Sequence, residues 1–402
     1  MTSPTAVTVR SLADATPAGR DRYIDFLRAA AIVVVVLGHW LIAVVTLDAA
    51  GAHATNALAT VPALQWLTWA FQVMPLFFVV GGFANRAALQ RSSARDYRRS
   101  RVARLTAPVV PLAVAWLVAG PVLGLAGADP HTVTLVTKVV GQPLWFLAVY
   151  LVVSAAAPIA LEAHRRFGVK VLVVLGAAAA LDDVVRVPFL NYALVFLAVH
   201  QVGFFLGDGS LLRWSRRRYA ALAAAGAVAL LVLTGPGPYP RSMVGVPGER
   251  SSNMSPPTVC ILALTALQLG LVLLARPAVS RWLQRPRPWR AVIAVNAQIM
   301  TIFLWHLTAL AITAVVLLPL GFPQAAAGST GWWLTRIPWI GALVAVLGVL
   351  VVVAGRRERR ALRSPTLGRG NVVMATAAMT TLALHGFRGW PAVAAVLLMR
   401  GW

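Results

Sequence analysis

IDFLRAAAIVVVVLGHWLIAVVTL, residues 24–47, decides the fold class: it is long enough to cross a bilayer, and its only ionisable side chains are Asp25, Arg28 and His39. About 20 helical residues cross a hydrocarbon layer about 30 Å thick, and within that layer a helix satisfies its own backbone polar groups. Comparable apolar spans recur at 63–84, 106–126, 142–161, 169–188, 190–207, 219–234, 257–275, 291–319 and 336–354. The expectation is an all-α polytopic transmembrane bundle of about ten helices. Span 169–188 is the least regular, because Asp182, Asp183 and Arg186 lie in its outer half.

Composition agrees. Hydrophobic residues make up 59% and charged residues 12%, against roughly 45–50% and 25% in soluble domains. A net charge of +24 raises the question of nucleic-acid binding, but the basic residues sit in short loops between apolar spans, so no nucleic-acid partner is expected. With the N-terminus cytoplasmic, the inner segments hold 28 Lys or Arg and the outer ones 5, namely Lys138, Arg186, Arg241, Arg250 and Arg336. That bias sets the orientation, with both ends of the ten-helix core inside. Arg outnumbers Lys 34 to 2, which suggests a GC-rich bacterial genome. A multi-pass protein of the cell membrane is expected, with the lipid bilayer as a partner.

The chain divides into a cytoplasmic tail at 1–22, a membrane domain at 23–354, and a basic cytoplasmic segment with an apolar tail at 355–402. Residues 1–20 lack the apolar core of a signal peptide, so the first helix is expected to act as the signal. Loop 235–257, rich in Pro, Gly and Ser, reads as an irregular lid or cavity rim. Each half of 371–402 is too short to span, which favours an interfacial or poorly ordered tail over an eleventh helix. Cys260 is the one cysteine, so neither an intramolecular disulfide nor a cysteine-based metal site can form, and no metal is expected.

Ionisable groups at membrane depth are costly and mark function by default. They are Asp25, Arg28 and His39 in helix one, Asp182, Asp183 and Arg186 in helix five, His200 in helix six and His306 in helix nine. Arg28 and His39, eleven residues apart, differ by only about 20° around a helix and about 16 Å along it. They share a face, with Arg28 near the cytosol and His39 in the outer half. This suits a long ligand gripped at its anionic end by Arg28 and reacting at His39. Alternatives for Arg28 are snorkelling to the headgroups or pairing with Asp25. A neutral imidazole suits a general base for a hydroxyl. Asp182 or Asp183 could orient it, or both could lie in water at a helix end. In YRRSRVARLTAP, residues 97–108, Arg98, Arg101 and Arg104 lie on overlapping helical faces just before a membrane entry. Paired guanidinium groups clamp phosphate, although loop arginines also serve topology alone.

YIDFLRAAAIVVVVLGHW (23–40), MPLFFVVGGF (74–83), RVARLTAP (101–108), LWFLAVYLVVS (144–154) and, more weakly, IFLWHL (302–307) occur in one order. In these runs the chain resembles acyltransferase family three, the integral membrane enzymes that O-acylate glycans, antibiotics and related acceptors. The resemblance implies an essential helix-one histidine at His39 and its partner arginine at Arg28. It also implies an acyl-CoA-handling RxxR motif at Arg101 and Arg104, with Arg98 and Trp145 added to the donor set. The implied donor is acyl-CoA, with acetyl-CoA foremost, and the implied acceptor is a hydroxyl of a glycan or small molecule. Two positions depart from the family pattern. Gly81 and Gly82 precede Phe83 where many members have Ser-Gly-Phe, and Tyr150 stands where one subgroup has Glu. The rival reading is a transporter or flippase of a glycan or lipid-linked intermediate.

Overall fold

Polar side chains in the loops start the helices. In the computed structural model, which describes residues 9–17, 19–48, 51–362 and 371–400, a short helix α1 (Val9–Asp14) precedes α2 (Arg22–Ile42). The Asp21 carboxylate caps α2 by accepting from the backbone N–H groups of Tyr23 and Ile24. A β-hairpin follows, β1 (Ala43–Asp48) paired antiparallel with β2 (Gly51–Asn56), then a 3-10 turn at Pro62–Leu67, α3 (Thr68–Phe71) and α4 (Met74–Leu89). Ser93 caps α5 (Ala94–Thr106), which runs through Ala107 and Pro108 into α6 (Val109–Leu125). Asp129 caps α7 (Pro130–Gly141), and α8 (Leu144–Phe167) continues it.

Beyond Gly168 come α9 (Val169–Val185), α10 (Leu190–Gly207), α11 (Arg216–Thr234), α12 (Val259–Trp282), α13 (Pro286–Ala297) and α14 (Ile299–Leu317). The last three are α15 (Thr330–Leu362), α16 (Val372–His385) and α17 (Gly389–Arg400). Among the described residues, nine helical segments are long and apolar enough to cross a membrane. The expected tenth, α9, has 17 residues, or about 25 Å. It packs along α10. Its first residue follows the end of α8, and at its far end Asp183 accepts from the N–H of Val259, the first residue of α12.

Four expectations need correction. The first span stops as a helix at Ile42 rather than 47, because the β-branched run Val44, Val45 and Thr46 pairs with Thr55, Ala54 and His53 in the hairpin. Residues 130–141, expected in an outer loop, form α7, with Asp129 at its N-cap and Pro130 in its first turn. The span 291–319 is two helices that meet at Gln298. The tail beyond 371 is a helical hairpin, not a loose segment. Ala375, Ala378, Met379 and Leu382 of α16 are buried against α7 and α8, and α17 packs on α6 and α16. Residues 1–8 of the N-terminal tail and 363–370 of the basic segment lie outside the described residues.

Close backbone approach holds the centre together. A Cβ on Gly82 of α4 would lie 2.1 Å from the carbonyl oxygen of His200, and one on Gly203 of α10 would lie 2.1 Å from that of Val79. In lipid, where apolar burial drives helix association little, such small-residue contacts let two helices approach closely. Loop 235–257 is irregular, with Ser242 and Asn253 fully buried beneath it, and it rims the cavities described next.

Candidate active site

His39 lies one turn before the end of α2, where α2 crosses α14. Its Nδ1 is 2.8 Å from Nε2 of His306, and the two rings lie nearly parallel with centroids 5.0 Å apart. His306 Nδ1 is in turn 2.6 Å from the carbonyl oxygen of Phe303. A carbonyl only accepts, so the His306 proton is on Nδ1. Neutral His306 then presents a lone pair at Nε2, and His39 Nδ1–H donates to it. This leaves His39 Nε2 bare. It has no partner among the described residues, is not sealed in the interior, and opens onto two cavities. Trp40 Nε1 donates to the His306 carbonyl at 3.0 Å and fixes the crossing. The arrangement is an imidazole oriented by a second imidazole and a backbone carbonyl.

The two cavities, of 440 and 520 Å³, share His39, Ile42, Asn56 and Gln142. Asn56 is committed, since its Nδ2 donates to the Gly245 carbonyl and its Oδ1 accepts from Leu58 N–H. The Gln142 side-chain amide has no partner among the described residues, so it can donate a hydrogen bond to a group held beside His39.

Arg28 Nε donates to Asn296 Oδ1 at 2.7 Å, and its Nη2 lies 3.3 Å from Asp25, which Arg20 also grips. Asn296 and His306 belong to the consecutive helices α13 and α14, so Arg28 and His39 each meet one of this pair. Arg101 stacks over the Tyr97 ring at 5.2 Å. Arg104 is exposed on the same helix. Arg98 is tied down instead, its Nε donating to the Ala155 carbonyl at 3.1 Å.

Tyr150 is buried within electrostatic reach of both Arg28 and Arg101. From it an aromatic layer of Phe77, Phe146 and Phe303, with neighbouring ring centroids 5.1–5.8 Å apart, leads to the His39 cavity, which Phe146 and Phe303 line. The arginines and His39 therefore lie on opposite sides of an aromatic septum, and no arginine of the donor set borders either cavity. The two departures from the family pattern meet here. A Cβ at Gly81 would be 2.8 Å from the Tyr150 ring, so the missing serine side chain is the space the tyrosine occupies. Below the septum, Asn85 Nδ2 is 2.9 Å from His200 Nε2 and 3.3 Å from Ser154 Oγ. Among the described residues, Asn85 Oδ1, Tyr97 OH and His200 Nδ1 are buried there without hydrogen-bond partners, a polar rung unusual at this depth.

The remaining sequence candidates lie elsewhere. Asp182 accepts from Val187 N–H. Asp183 accepts from Asn191, Tyr239 and the Val259 N–H, so these carboxylates tie α9, α10, α12 and the outer loop. The position beside His39 belongs to His306 instead. Trp145 borders the His39 cavity rather than the arginines. Among the residues at the site, His306 stood out in the sequence as an intramembrane histidine and as part of the weaker IFLWHL match, and nothing in the sequence marked Asn56 or Gln142.

No curated protein and no solved structure matches the chain. Residues 21–355 match the model of the acyltransferase domain of family three, a segment that carries α2, α14 and the facing histidines, and the chain belongs to that family.

Proposed function

We propose that the protein moves an acyl group from cytosolic acyl-CoA to a hydroxyl of a glycan or small-molecule acceptor on the outer side of the bacterial cell membrane. The carrying observation is the hydrogen-bonded chain Phe303 C=O, His306, His39, which leaves His39 Nε2 bare at the meeting point of two cavities. Arg101, Arg104 and Arg28 hold the donor's phosphates by charge-assisted hydrogen bonds. His39 Nε2 takes the hydroxyl proton as the acceptor oxygen attacks the thioester carbonyl. The Gln142 amide donates to the resulting oxyanion. Collapse breaks the C–S bond, and the thiolate leaves with the proton that His39 took up.

The test adds acetyl-CoA labelled in the acetyl group to membranes containing the full chain and follows label into extractable acceptor. Transfer by wild type, with loss of about 10²–10⁴ in rate for His39→Ala at equal membrane insertion, supports the reading. Wild-type rates in His39→Ala overturn it. A transporter would move its cargo without needing any thioester, and nothing in that reading calls for an oriented imidazole pair.

A further inference from the structure

The reaction centre proposed above has three substituents besides the oxyanion: the thioester sulfur, the acceptor oxygen and the alkyl group. Three environments meet at His39. The donor arm must arrive from the arginine side, through the septum. The 520 Å³ cavity beneath the outer loop adds Thr68, Gln72, Tyr192 and Ser255 to the Asn56 and Gln142 that both cavities share, the more polar lining of the two, which suits a hydroxylated acceptor. The 440 Å³ cavity, between α2, α7, α14 and the β-hairpin, is walled by Leu123, Val136, Val139, Leu310, Ala314 and Leu318. A hydrated glycan gains nothing there, whereas burying methylene groups is favourable.

We propose that this second chamber is the acyl-chain subsite, and that the transferred group is an aliphatic acyl chain longer than acetyl. The inference rests on the acyl-CoA reading of the site. At roughly 30 Å³ per carbon-sized group, a chamber of 440 Å³ has room well beyond a methyl group and, at full occupancy, an upper limit of about fifteen carbons, just short of a whole palmitoyl chain. Ala311 and Ala314, one turn apart on α14 beyond His306, keep the chamber open where larger side chains would fill it. Hairpin strands β1 and β2 close its outer wall through Val45, Leu47, Ala52 and Ala54.

The experiment gives membranes containing the full chain acetyl-, butyryl-, octanoyl- and palmitoyl-CoA, each labelled in the acyl group. In wild type, kcat/KM should rise by up to about fourfold per added methylene from acetyl to octanoyl and fall at palmitoyl. In Ala314→Leu, and separately in Val136→Phe, the octanoyl-to-acetyl ratio should drop at least tenfold. The ratio is taken within one preparation, so it does not depend on how much of a variant folds. Acetyl transfer with a flat chain-length profile, or a ratio that both substitutions leave at the wild-type value, overturns the subsite and leaves the acyltransferase reading standing. Transfer from none of the four thioesters overturns both.

Discussion

Replacing His306 with Phe keeps an aromatic ring against His39, where the two rings now lie with centroids 5.0 Å apart. It also keeps the backbone carbonyl that accepts from Trp40. What it removes is the 2.8 Å bond at His39 Nδ1. The imidazole then loses its fixed tautomer and turns freely, and its buried Nδ1 has no acceptor. Losing such a bond costs about 1–3 kcal/mol, which is about 5- to 150-fold in kcat if the bond is needed only to reach the transition state. KM for the donor should stay within about twofold, because the arginines proposed to hold it lie across the septum. His306→Gln, which keeps an acceptor oxygen near the position of Nε2, should recover part of the loss. Because His306 acts only through His39, the His39→Ala/His306→Phe double variant should be no slower than His39→Ala alone. The assay is label transfer per inserted protein, with thermal stability measured in parallel. A wild-type rate in His306→Phe refutes this orienting role, and so does a double variant clearly slower than His39→Ala.

Other residues give sharp expectations. Arg101→Ala and Arg104→Ala should each raise KM for acyl-CoA about tenfold, since a charge-assisted phosphate contact contributes about 1.5–3 kcal/mol, and a salt-independent KM would count against phosphate contact. Gly81→Ser should destabilise the protein by about 1–3 kcal/mol through the Tyr150 ring 2.8 Å away, and Tyr150→Leu in the same chain should relieve most of it; additive effects in this double-mutant cycle would mean the two positions do not share a space. Asp183→Ala should lower thermal stability by the loss of three accepted hydrogen bonds while leaving the pH profile of transfer unchanged, whereas a shifted profile would assign it a part in the chemistry. The Thr132 backbone N–H holds the exposed Asp129 carboxyl below its usual range. A depressed folded value means that this cap's contribution is complete above the unfolded value and is lost as pH falls through the folded one. Proteolytic cutting in the 43–56 hairpin, which leans on α7 through Ala52 N–H and Thr132, should therefore increase in acid for wild type but not for Asp129→Asn, because Asn caps equally well without titrating.

The sequence made the crossings legible because the bilayer imposes a length on each, and a stretch such as 259–282 cannot be hidden any other way. His39, Arg28 and the arginines at 101 and 104 were legible for the related reason that charge at membrane depth needs a cause. What pairs with what was not. His39 and His306 are 267 residues apart, and no local periodicity reports which helix faces which. Asp182 and Asp183 looked like orienting groups because they were the nearest carboxylates by depth, yet depth alone leaves rotation and neighbours open. The halves of the C-terminal hairpin are individually too short to span, and their helicity comes from packing on α6, α7 and α8 rather than from length. The stop of α2 at Ile42 was hidden by hydropathy itself, since Val44 and Val45 are as apolar in a strand as in a helix.

The septum around Tyr150 bears on how an enzyme of this type coexists with a membrane. A permanently open passage from the arginines to His39 would join the cytosol to the cavities under the outer loop, and an aqueous path with an imidazole along it would leak protons. Aromatic side chains packed at ring-to-ring distances of 5.1–5.8 Å close that path while needing few polar partners. On the proposed reading, a donor arm that reaches His39 must part the rings, and binding of its phosphates by Arg28 and Arg101 would supply the energy to do so. Gly81 gives the tyrosine its resting place. A side chain there would push the ring toward the passage, which is why the exchange of Ser for Gly at 81 and the presence of Tyr at 150 make physical sense only together.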